Sequence, residues 1–159
     1  MFDWATLRPI WEPRMLSILR IMVGLLYLEF GLAKVFDFPA MSDHQPYHLF
    51  SLVPGLAGIL ETVGGALIAI GLFTRPVAFI LSGEMAFAYF MVYVPRSFFP
   101  ALSGGVSAIL FCFIFLYFFV AGAGVWSLDH LWASKASTEN RADGAATPAP
   151  SNLTRGPPG

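Results

Sequence analysis

Long apolar runs constrain this chain more than any other feature. One extends from about Met15 to Phe36 and a second from about Val53 to Phe73; a third lies between Pro76 and Pro95, and a fourth extends from about Gly105 to Val125. A helix needs about 20 apolar residues to cross the hydrocarbon of a bilayer, where every backbone polar group must be satisfied within its own segment. The expected fold is therefore all-α, a polytopic membrane protein with four transmembrane helices in a bundle. Composition agrees: 57% of the 159 residues are hydrophobic and 12% are charged, against about 25% charged in soluble domains. Pro13, Pro54, Pro76 and Pro95 fall near the expected span ends, where a missing backbone donor costs little. Only "TR" joins the second and third runs, which makes them an antiparallel hairpin.

The chain divides into an N-terminal segment (residues 1–14), a four-span membrane domain (15–133) and a tail (134–159). The opening "MFDWATLRPIWEPR" is polar and carries prolines, and the apolar run after it is long enough to span, so no cleavable signal peptide is expected. With four spans both termini share a side. That side holds Arg8, Arg14, Arg75, Lys135, Arg141 and Arg155, with Arg20 just inside the first helix; the other holds Lys34 and Arg96. The basic excess places the termini in the cytoplasm, and Trp4, Trp11, Trp126 and Trp132 would form an aromatic belt at that interface. Two loops then face outward. Asp37–Ser51 is long enough for a short helix or lid, and "RSFFPALSG" (Arg96–Gly104) is expected to lie back on the bundle. The tail from Ser134 is rich in Ala, Pro, Gly and polar residues without periodicity, and is expected to be disordered. Its "NLT" sequon has no meaning on a cytoplasmic tail.

Charges inside the spans mark the candidate site: Arg20, Glu29, Lys34, Glu61 and Glu84. A carboxylate in hydrocarbon costs about 2.5–3.5 kcal/mol by insertion scales. At 1.5 Å per residue, Glu29 lies about 10 Å and Glu61 about 12 Å below the outer surface, and Glu84 about 12 Å from the inner one. By depth, Glu29, Glu61 and Lys34 form an outer set, and Arg20 and Glu84 an inner pair. Helical phase puts Arg20, Gly24, Tyr27, Gly31 and Lys34 on one stripe, with Glu29 almost opposite. That opposite face must meet protein, water or a second subunit. Ala57, Glu61, Gly64, Ile68 and Gly71 form a stripe of mostly small residues that admits a close neighbour, so Glu61 should point into the bundle. Two roles stay open for these charges. They are packing devices, with Glu61 a protonated hydrogen-bond donor, Lys34 snorkelling to the outer headgroups, and Arg20 reaching the inner ones or Glu84. Alternatively Glu29 and Glu61 act as a coupled carboxyl pair suited to proton exchange with a quinone or a transported substrate.

Other chemistry is excluded or unsupported. Net charge is −1, which gives no nucleic-acid partner. The single cysteine, Cys112, lies among phenylalanines, so it reads as an apolar filler and excludes an intrachain disulfide or thiol redox pair. His44, His48 and His130 are outside the spans, which removes membrane-embedded bis-His haem ligation by one chain. Pro46 breaks any helix that would align His44 and His48 for a metal. No phosphate-binding glycine loop, nucleophile motif or zinc pattern is present. "AFAYFMVY" and "LFCFIFLYFFV" could line a groove for an isoprenoid tail, or simply pack against lipid and other helices.

"LRIMVGLLYLEFGLAKVF" (Leu19–Phe36), "ETVGGALIAIGLFTRPVA" (Glu61–Ala78), "EMAFAYF" (Glu84–Phe90) and "GAGVWSLD" (Gly122–Asp129) resemble, in order and spacing, four signature regions of the DoxX family. The resemblance implies a small four-helix protein of the bacterial inner membrane. Relatives are associated with a terminal quinol oxidase, thiosulfate:quinone oxidoreductases and membrane-bound oxidative-stress complexes. Glu61, Gly64, Gly65, Arg75 and Asp129 stand where the family pattern places such residues, whereas Phe30 stands where members often carry a histidine. No catalytic residue carries over. The expected function is a non-catalytic subunit or anchor of a respiratory or redox assembly, touching quinone near Glu29, Glu61 and Lys34 and taking electrons from partner proteins. The alternative is a small proton-coupled transporter or permease acting as a homo-oligomer. A membrane enzyme acting on lipid or quinone ranks last.

Overall fold

A computed structural model describes residues 4–36, 38 and 52–146. All its regular elements among these residues are helical. They are α1 (Trp4–Phe36), α2 (Leu52–Ile70), α3 (Thr74–Ala88), α4 (Pro100–Ser103), α5 (Val106–Ala121) and α6 (Leu128–Ala146). A π-helical turn, Tyr89–Tyr93, continues α3. The helical segments Ala5–Phe36 and Thr74–Tyr93 are long and apolar enough to cross a membrane, and Gly55–Ile70 and Val106–Ala121 are shorter apolar helices.

α1 packs along α2, and α3 along α5. The first contact is close because glycine carries no side chain. A Cβ on Gly24 would stand 2.5 Å from the Ala69 backbone nitrogen, and one on Gly65 would stand 2.6 Å from that of Leu28. A small buried core, including Val23, Tyr27, Ile68, Leu81, Phe115 and Phe118, runs through the bundle. Many large apolar side chains face outward, among them Leu25, Ile59, Phe79, Leu110, Phe113 and Val120. Contiguous outward apolar surface is unfavourable in water and favourable in lipid.

α2 stops in a Schellman motif. Gly71 adopts φ 72°; its N–H donates to the Ile68 carbonyl and the Leu72 N–H to the Leu67 carbonyl. Phe73 follows, also at positive φ, and serves as the N-cap of α3.

Several boundaries differ from expectation. α1 begins at Trp4 and passes through Pro9 and Pro13, so most of the N-terminal segment belongs to the first helix. α5 ends at Ala121 because Gly122 takes φ 88°, which shortens the fourth run. α6 extends to Ala146, past the point where disorder was expected to begin. The phenylalanines of the Arg96–Gly104 loop do not lie back: Phe98 and Phe99 are 76% and 65% exposed, and only Ser103 of α4 is buried. The outer loop with Asp43, His44 and His48, and residues 147–159 of the tail, lie outside the described residues.

Candidate functional site

The close α1–α2 contact brings the two stripes together. Arg20, Gly24, Tyr27 and Gly31 are buried and Lys34 half-buried, while Glu61, Gly64, Ile68 and Gly71 are buried opposite them. Lys34 Nζ reaches Glu61 Oε1 at 2.5 Å, with the Glu61 side chain only 3% exposed. The ammonium approaches from the rim, its side chain 28% exposed, so a flexible cation meets a fixed carboxylate in the bundle.

α3 supplies the third ionisable group. Glu84 Oε2 accepts a 3.0 Å hydrogen bond from the Tyr27 hydroxyl, and Glu84 lies within electrostatic reach of both Glu61 and Lys34. The Tyr27 ring is held edge-on to Phe115, centroids 4.8 Å apart, and also touches Phe111. Among the described residues, Glu61 Oε2 and Glu84 Oε1 are buried and have no hydrogen-bond partner. Such acceptors carry a desolvation cost of about 1–3 kcal/mol each when nothing satisfies them. The cluster sets two carboxyl groups against one ammonium.

Depth alone mis-sorted the charges. Glu84 does not pair with Arg20; it bonds Tyr27 and lies within electrostatic reach of Glu61 and Lys34. Glu29 is exposed on the far side of α1 and has no hydrogen bond or ion pair among the described residues, so it stands outside the cluster. Residues at one level need not share an azimuth.

Arg20 has a different task. It is fully buried. Its Nε donates to the Ala123 carbonyl at 2.8 Å, Nη2 to that of Trp126 at 2.6 Å, and Nη1 to those of Ile68 and Ala69. A guanidinium offers five donors in a fixed fork, and here it fastens the C-terminal end of α2, where cations are favoured by the helix dipole, to the segment after α5. Asp129 completes the clamp from the other direction. Its Oδ1 and Oδ2 accept the backbone N–H groups of Phe73 and Thr74 at 2.8 and 2.9 Å, capping α3 where Phe73 has no capping side chain of its own. The Asp129 N–H donates to the Gly71 carbonyl at 3.0 Å. Ser17 bridges as well, donating to the Pro13 carbonyl and accepting from the Trp126 N–H. Charge placement in the spans missed Tyr27 and Asp129, although the family resemblance marks Asp129. Tyr27's place on the Arg20–Lys34 stripe was the available signal.

A DoxX family model matches residues 15–94, from α1 through the π-helical turn, leaving the Gly122–Asp129 segment outside the match. The chain is 40% identical over 128 residues to an uncharacterized protein of Haemophilus influenzae, an alignment covering 79% of this chain and 96% of the relative. No solved structure matches the chain. The match to half of the sequence, with the similarity to that relative over 79% of this chain, shows that the chain belongs to the DoxX family.

Proposed function

We propose that this DoxX protein is a multi-pass protein of the bacterial inner membrane, with both termini cytoplasmic, that serves as a non-catalytic subunit of a quinone-linked redox assembly. The apolar exterior, the two span-length helices with their two shorter companions, and the basic residues around the chain ends support the placement. The buried cluster carries the function. Lys34 can donate to a carbonyl oxygen of a head group entering from the rim. Glu61 Oε2 and Glu84 Oε1, buried without partners among the described residues, fit as acceptors for hydroxyl protons. A quinone, when bound, supplies a two-electron, two-proton couple. The chain's own residues orient the head group. One cysteine and no histidine in the spans support leaving electron transfer to partner proteins in this reading.

The test is purification in mild detergent, followed by quinone extraction and mass spectrometry of co-purifying proteins. Stoichiometric quinone with an oxidoreductase partner supports the proposal. A quinone-free homo-oligomer whose substrate uptake depends on the proton gradient would replace it with the transporter reading.

A further inference from the structure

The α2–α3 turn, the start of α3 and the segment after α5 enclose an open cleft of about 600 Å³, away from the Lys34–Glu61 cluster. We propose that this cleft binds a phosphate-bearing group. Its floor holds Thr74, fully buried, whose hydroxyl has no hydrogen-bond partner among the described residues. Its edge holds Arg75, exposed and without a hydrogen bond or ion pair among the described residues. The Arg75 guanidinium lies over Gly122, where a Cβ would stand 3.5 Å from its Nε and Nη2, so the cation is laid along the cleft wall. His130 lines the same cleft, and Pro13, Leu16 and Val125 give it an apolar side.

The charge balance favours an anion. Asp129 also lines the cleft, but both of its oxygens are taken by the Phe73 and Thr74 N–H groups, and its charge acts on the buried Arg20. Arg75 remains as the uncompensated cation beside an unused hydroxyl donor. A fork of guanidinium donors with an adjacent hydroxyl matches tetrahedral phosphate oxygens. The apolar side suits the glycerol and upper acyl portion of a phospholipid; a soluble phosphate monoester would use the polar floor alone.

Delipidated full-length protein, Arg75→Gln and Thr74→Val would be compared by native mass spectrometry with phosphatidylglycerol and with phosphatidylcholine, and by calorimetric titration with inorganic phosphate. Arg75 is exposed, so its variant folds like wild type, which thermal melting checks. Wild type is expected to prefer phosphatidylglycerol over phosphatidylcholine, and Arg75→Gln to weaken phosphatidylglycerol binding about tenfold, the effect of one charge-assisted contact. That result identifies a lipid headgroup. Arg75-dependent binding of inorganic phosphate without lipid preference identifies a soluble phosphate group instead. Equal behaviour of folded Arg75→Gln and wild type toward all three ligands overturns the proposal, whatever Thr74→Val does. None of these outcomes depends on quinone binding at Glu61.

Discussion

Arg20 shows what a single residue does in this bundle. Its four carbonyl partners belong to α2 and to the segment after α5, so truncation leaves several buried acceptors unmet. Arg20→Ala should lower stability by at least about 2 kcal/mol, read as a fall in melting temperature in detergent. Adding Glu84→Gln should recover none of the loss, because Glu84 bonds Tyr27; recovery would mean that the two groups do pair. Glu61 poses the reverse case. Lys34→Met leaves a buried carboxyl without its cation, which costs more than neutralising both partners. Lys34→Met should therefore melt below Glu61→Gln, and Lys34→Met/Glu61→Gln should regain most of the difference. Helical phase made Glu61 legible from sequence, since a carboxylate on a stripe of small residues must face a neighbouring helix. Arg20's role was not legible. Its partners are backbone carbonyls, which no side-chain pattern displays, and depth along the membrane normal carries no information about azimuth.

At the scale of elements, the apolar runs located the helices; Pro54, Pro76 and Pro95 fall at or just past helix ends, but Pro13 does not mark the start of α1. α1 runs through Pro9 and Pro13, and α5 stops at Gly122 on backbone conformation while the sequence stays apolar to Val125. The α1–α2 seam gives a sharp contrast. Gly24→Val places a branched side chain against the Ala69 backbone and should push the helices apart, with a large loss of folded yield and melting temperature. A Cβ on Gly83 meets nothing within 4 Å, so Gly83→Ala should keep or raise stability, by about 0.8–1 kcal/mol from helix propensity. Equal loss in both would refute the seam. The α3 cap belongs to this scale too. Asp129→Ala removes the acceptors for Phe73 and Thr74 N–H and should cost about 1 kcal/mol. Hydrogen exchange should accelerate at those two amides, with the middle of α3 unaffected.

Across the whole molecule, the sequence and the structure divide the labour. An all-helical chain with an apolar exterior follows from hydropathy, and DoxX membership agrees with it. The assembly of Tyr27, Lys34, Glu61 and Glu84 from three helices emerges only when α1 and α2 close on each other. Glu29, at a similar level to Glu61 but facing away, separates this geometry from the reading by depth. Direct quinone binding to purified protein tests the proposal most sharply, with wild type, Lys34→Met and Glu29→Gln compared at matched folding. The proposed site predicts near-stoichiometric binding by wild type and Glu29→Gln, and at least about tenfold weaker binding by Lys34→Met, the size of one lost charge-assisted hydrogen bond. Equal binding by all three, or loss confined to Glu29→Gln, would contradict it.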